Sequence, residues 1–95
     1  MRVYISGQIT DNDDYMEQFE RAQAELEGKG YKVLNPAATC ATLPPGTKYE
    51  EFMSIAFKLL DMADAIYMLQ TWTNSKGANR EYGYALGKNK EIMYE

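Results

Sequence analysis

The stretch Ala65-Ile66-Tyr67-Met68-Leu69, followed by Ser75-Lys76-Gly77-Ala78-Asn79-Arg80-Glu81-Tyr82-Gly83-Tyr84-Ala85-Leu86-Gly87 and then Glu91-Ile92-Met93-Tyr94, decides the fold. An apolar run of strand length, a polar loop, a helical segment and another short β-prone run form a β-α-β unit. Its strands lie parallel, and the loop and opening helical turns sit at the carboxyl edge of the sheet, where open α/β folds bind ligands. Glu81 lies in those opening turns, where an enzyme would hold a nucleophile.

The rest of the chain repeats this alternation. Val3-Tyr4-Ile5, ended by Ser6-Gly7, reads as a buried first strand. After the N-cap-rich tract Thr10-Asp11-Asn12-Asp13-Asp14, the spacing of Tyr15, Phe19, Ala22 and Leu26 predicts an amphipathic helix closed by Gly28 and Gly30. Tyr31-Lys32-Val33-Leu34 is a second strand, stopped by Asn35-Pro36. A proline-containing loop from Pro36 to about Thr47 is long for a small domain and reads as a functional lid. Phe52, Ile55, Ala56, Leu59 and Leu60 mark the apolar face of a helix starting near Tyr49. The expected fold is α/β, a minimal Rossmann- or flavodoxin-like three-layer sandwich. Its four-stranded parallel sheet has the order 2-1-3-4, which puts the cleft at the switch point between strands one and three.

Composition bounds the function. Ninety-five residues make a single domain, 1–95, with a modest core. A formal charge of −4 and a pI near 4.8 leave no basic footprint, which argues against a nucleic acid polymer or a membrane as partner. Cys40 is the only cysteine, and neither a signal-peptide pattern nor a long apolar segment is present, so a cytoplasmic protein is expected. The chain has no histidine, which leaves carboxylates and tyrosines to carry acid–base chemistry. No metal or organic cofactor is called for. So small a domain gains by burying a further face, so a homodimer or higher homo-oligomer is expected, through the helix with Tyr82 and Leu86 or the one with Phe52 and Phe57.

The loops after strands one, two and three open on one edge, and topology therefore gathers Tyr4, Asn35, Glu50, Glu51 and Glu81 near one cleft. Glu81 is equally an ordinary carboxylate at a helix start, and Tyr4 an ordinary core aromatic. In the functional reading the Tyr4 phenol orients the Glu81 carboxylate. Ser75 serves as an N-cap and, with the Gly77 and Ala78 amides, can also hold a phosphate. Ser6, Gly7 and Gln8 after strand one offer a second polar turn, and Trp72 can stack on a base. Asp64 sits at the opposite edge and is structural, and Met53, Met62 and Met68 read as core fillers.

Several segments resemble a small bacterial and phage domain family, itself similar to the nucleoside 2-deoxyribosyltransferases and the deoxynucleoside 5′-monophosphate N-glycosidases. They are Val3 to Thr10, Asn35-Pro36-Ala37, Ala63 to Leu69, and Trp72 through Ser75, Gly77, Ala78 and Glu81 to Gly87. The resemblance implies that Glu81 is the nucleophile and that Tyr4 orients it. Ser75, six positions before Glu81, stands where the transferases place a base-binding aspartate and the hydrolases a phosphate-binding serine. The ligand implied is a 2′-deoxynucleoside or its 5′-monophosphate. Both enzyme groups carry a second catalytic aspartate where this chain has Ala56, and Glu50 and Glu51 are the candidates to replace it. Two functions fit: cleavage or transfer at an N-glycosidic bond, or a non-catalytic nucleotide-binding or regulatory module. A carboxylate other than Glu81 reaching the cleft favours the enzyme.

Overall fold

The computed structural model describes residues 1–95. Strands β1 (Arg2–Ser6), β2 (Lys32–Leu34), β3 (Ala65–Met68) and β4 (Glu91–Tyr94) alternate with helices α1 (Tyr15–Gly28), α2 (Pro36–Thr39), α3 (Tyr49–Asp61) and α4 (Lys76–Gly87). All strand pairs are parallel, as the alternation predicts, and the order is β2-β1-β3-β4, the one expected from a cleft at the switch point between strands one and three. Tyr4 pairs with Leu34 on one side and Ile66 on the other, so β1 and β3 form the covered centre. Their residues Val3 to Ser6 and Ala65 to Met68 are all buried, whereas the edge strands β2 and β4 are partly exposed.

Side chains alternate across the strands and divide the core in two. Val3, Ile5, Ala65 and Tyr67 face α1, meeting Phe19, Ala22 and Leu26. Tyr4, Ile66 and Met68 face α3 and α4, meeting Ala56, Leu60 and Ala85. Tyr4 and Ser6 therefore project towards α4, the helix that carries Glu81.

Local chemistry sets the helix ends. Gly30, at φ +92°, turns the chain out of α1 into β2. Glu51 accepts from the Lys48 N–H at 2.8 Å to start α3, and Ser75 Oγ accepts from the Ala78 N–H at 3.1 Å to start α4. Asp64 accepts from the Arg2 N–H at 2.8 Å at the amino edge, a structural role as its position implies.

Two expectations need correction. Pro36 to Thr47 is not a plain loop: it opens with α2, continues as a 3₁₀ turn over Cys40–Thr42, and closes with a turn over Pro44 to Thr47, where the Thr47 N–H donates to Pro44 O at 3.2 Å. The reason is local, since Asn35 accepts from the Ala38 N–H and Pro36 at the first helical position has no N–H to satisfy. Met62 is 44% exposed and so is not a core filler, because it caps the end of α3 and lies outside the packed face.

Candidate active site

Glu81 is 7% exposed and held at both oxygens by one face of β1. Ser6 Oγ donates to Oε1 at 2.6 Å, and the Tyr4 hydroxyl donates to Oε2. Residues two apart on a strand point the same way, so one strand supplies both donors. Burial lifts the Glu81 carboxyl from its ordinary 4.5 to about 7, opposed by the hydrogen bonds from Ser6 and Tyr4 and by the more distant Arg80 charge. Burial, and then the Glu81 charge, push the Tyr4 hydroxyl well above its ordinary range, so it stays a donor. The result is a carboxylate poised near neutral pH, with lone pairs left for a nucleophilic or basic role.

Glu81 opens on a cavity of about 800 Å³. One wall is the segment from Pro36 to Thr47. The other is built from Tyr49, Phe52, Met53 and Ala56 of α3 and from Ser75 to Ala78 at the start of α4. Ser75 spends an oxygen lone pair on the Ala78 N–H, which leaves its O–H free to donate. Lys76 lies over the Tyr49 ring at 5.6 Å. Gly7 also lines the cavity, and a side chain there would crowd Leu69: a Cβ would stand 2.8 Å from Leu69 Cδ1, and the backbone is tied by the Leu69 N–H to Ser6 O at 2.8 Å. Cys40 also lines it, with its thiol pushed up by burial and then by the Glu81 charge.

The structure brings together Glu81, Tyr4, Gly7, Gln8, Ser75, Gly77 and Ala78, but gives others different work. Ser6 stands behind Glu81, bonded to its carboxylate, and is not on the cavity surface. Asn35 caps α2 and donates to Gln23 Oε1 at 3.0 Å. Trp72 stacks on Tyr82 with ring centres 4.7 Å apart, away from the cavity. Glu50 is held by both terminal nitrogens of Arg80, at 3.0 and 3.2 Å, and Glu51 is used at the start of α3. Neither glutamate lines the cavity, while Ala56 does. The second carboxylate that does line it is Asp11, hidden in the sequence inside a tract whose composition reads as helix caps.

A protein family described as "Domain of unknown function (DUF4406)" matches residues 1–94. The chain belongs to this family. No curated protein matches the DUF4406 chain at a significant level. Among solved structures, a 2-deoxyribosyltransferase from Bacillus psychrosaccharolyticus superposes with a TM-score of 0.79 at 15% identity, over 99% of this chain and 71% of that one. A 2-deoxyribosyltransferase from Leishmania mexicana superposes with a TM-score of 0.72 at 20% identity, over 98% of this chain and 62% of that one. The DUF4406 chain thus shares the fold of these enzymes and spans under two thirds of the length of the second. No helix is long and apolar enough to cross a membrane.

Proposed function

We propose that this chain, as one deoxyribosyltransferase-like domain, breaks the N-glycosidic bond of a 2′-deoxynucleoside or its 5′-monophosphate, with Glu81 as nucleophile. The observation that carries the reading is the buried Glu81 carboxylate, held at both oxygens by Tyr4 and Ser6 and opening on the cavity. A Glu81 oxygen bonds to the anomeric carbon as the base leaves, giving a covalent deoxyribosyl-enzyme that water or a second base resolves. Tyr4 and Ser6 orient the nucleophile. The free Ser75 hydroxyl, the Gly77 amide and Lys76 suit a 5′-phosphate at the start of α4. The likeness in fold to two 2-deoxyribosyltransferases supports this chemistry. In this reading the protein is cytoplasmic and works as a homodimer or higher homo-oligomer, which light scattering at micromolar concentration tests.

Ala56 on the cavity wall favours a second reading, a nucleotide-binding module without turnover. Incubation with the four deoxynucleotides, with free base followed by chromatography, separates the two. The enzyme releases base and Glu81→Gln abolishes release while nucleotide binding persists. Equal, background release by both proteins, with binding intact, supports the module.

A further inference from the structure

A glycosyl-enzyme on Glu81 needs a group to activate the water that discharges it, and neither Ala56 nor the committed Glu50 and Glu51 can do so. Two carboxylates line the cavity, Glu81 and Asp11. Glu81 is consumed in the covalent bond. We propose, resting on the glycosidic reading above, that Asp11 is the general base that takes a proton from the discharging water, which makes this protein a hydrolase.

Three observations support this assignment. Asp11 is exposed to solvent where the loop after β1 meets the cavity, so water reaches it directly. Its carboxylate has no hydrogen-bond or ion-pair partner in the protein, in contrast to Glu50, Glu51, Asp61 and Asp64, each held by a neighbour. The backbone around it is pinned: Asn12 donates from its side chain to Gln8 O at 2.9 Å and to Gln18 Oε1 at 2.8 Å, and from its N–H to Ile9 O at 3.3 Å. Asp11 takes φ +60° in the resulting turn, a left-handed conformation in which aspartate is enriched among non-glycine residues.

The step balances. In the first half a Glu81 oxygen bonds to C1′, the C1′–N bond breaks, and its electron pair goes to the base nitrogen, which is protonated by solvent. In the second half the water oxygen bonds to C1′ while the C1′–O bond to Glu81 breaks and its pair returns to the carboxylate. The water proton passes to Asp11 and then to solvent.

The test is Asp11→Asn, which tolerates the same backbone, with 2′-deoxyguanosine 5′-monophosphate as probe. A burst of about one equivalent of guanine per protein should precede turnover slowed by roughly 10²- to 10⁴-fold, the usual worth of a general base. Intact-mass spectrometry should then find the deoxyribosyl phosphate attached to the protein. Azide, a nucleophile with no proton to lose, should restore turnover. Turnover equal to wild type overturns the assignment, as does slowing without a trapped adduct or azide rescue, which is what a merely structural role produces. If wild type and Glu81→Gln both release no base, the glycosidic reading itself falls and the assignment with it.

Discussion

Glu81→Gln distinguishes what the buried carboxyl does to the fold from what it does in chemistry. Unfolded, this group titrates near 4.5; folded, burial moves it to about 7. Between those values the folded protein keeps a proton that the unfolded chain has released, so stability falls as pH rises through that window and levels off above it. At about 1.4 kcal/mol for each unit of pKa, the ionised Glu81 lowers stability by about 3 kcal/mol above pH 7. Glutamine has nearly the same shape and is neutral at every pH, so the variant lacks this component. Urea unfolding of wild type and Glu81→Gln at pH 4 and pH 8 measures it, because the other carboxylates titrate alike in both proteins and cancel. Moving from pH 4 to pH 8, the stability difference should shift by about 3 kcal/mol in favour of the variant, equivalent to roughly 1–3 M urea. A difference that stays constant with pH would refute the claim that burial dominates at Glu81. A shift of opposite sign would mean that the hydrogen bonds from Tyr4 and Ser6 outweigh it.

Three further outcomes follow from the geometry. Ser6→Ala removes the 2.6 Å donor to the ionised carboxylate, so the acid limb of the pH–rate profile should move upward by about one unit while nucleotide affinity changes little. Trp72→Ala should lower stability by roughly 2 kcal/mol, less than a fully buried tryptophan would, because the indole packs on Tyr82. Calorimetry for stability and titration with a deoxynucleotide should show loss of the first without loss of the second. Gly7→Ala drives a methyl into Leu69 and should cost about 1–3 kcal/mol in denaturant unfolding, although the residue borders the cavity.

The stability that the ionised Glu81 removes points to chemistry. A structural position would be filled better by an uncharged side chain, which makes the same packing without desolvating a charge. A buried carboxylate with two donors and no adjacent cation is the kind of local conflict that active sites keep.

Periodicity and punctuation along the chain determined the four strands and the three long helices, because each rests on residues within a few positions of one another, and the sheet order followed from the general rule that puts the cleft of a parallel sheet at its switch point. The spacing of Tyr15, Phe19, Ala22 and Leu26, or the run from Ala65 to Leu69, allows one reading. The meeting of Glu81 with Tyr4 was also legible, since topology brings the start of the last helix to the end of the first strand. What only the tertiary structure decided is which partner each polar group takes. Ser6 reads as part of a ligand-binding turn until its hydroxyl is found on Glu81, 75 positions away in sequence. Trp72 reads as a base-stacking residue until Tyr82 covers it, and Glu50 as a spare carboxylate until Arg80 claims it. Asp11 went unseen for the opposite reason: its tract carries the composition of a helix cap, and a turn pinned by Asn12 is what brings it to the cavity. Hydrogen-bond partners are chosen by proximity in space, and a pattern of residue types along the chain does not encode that proximity.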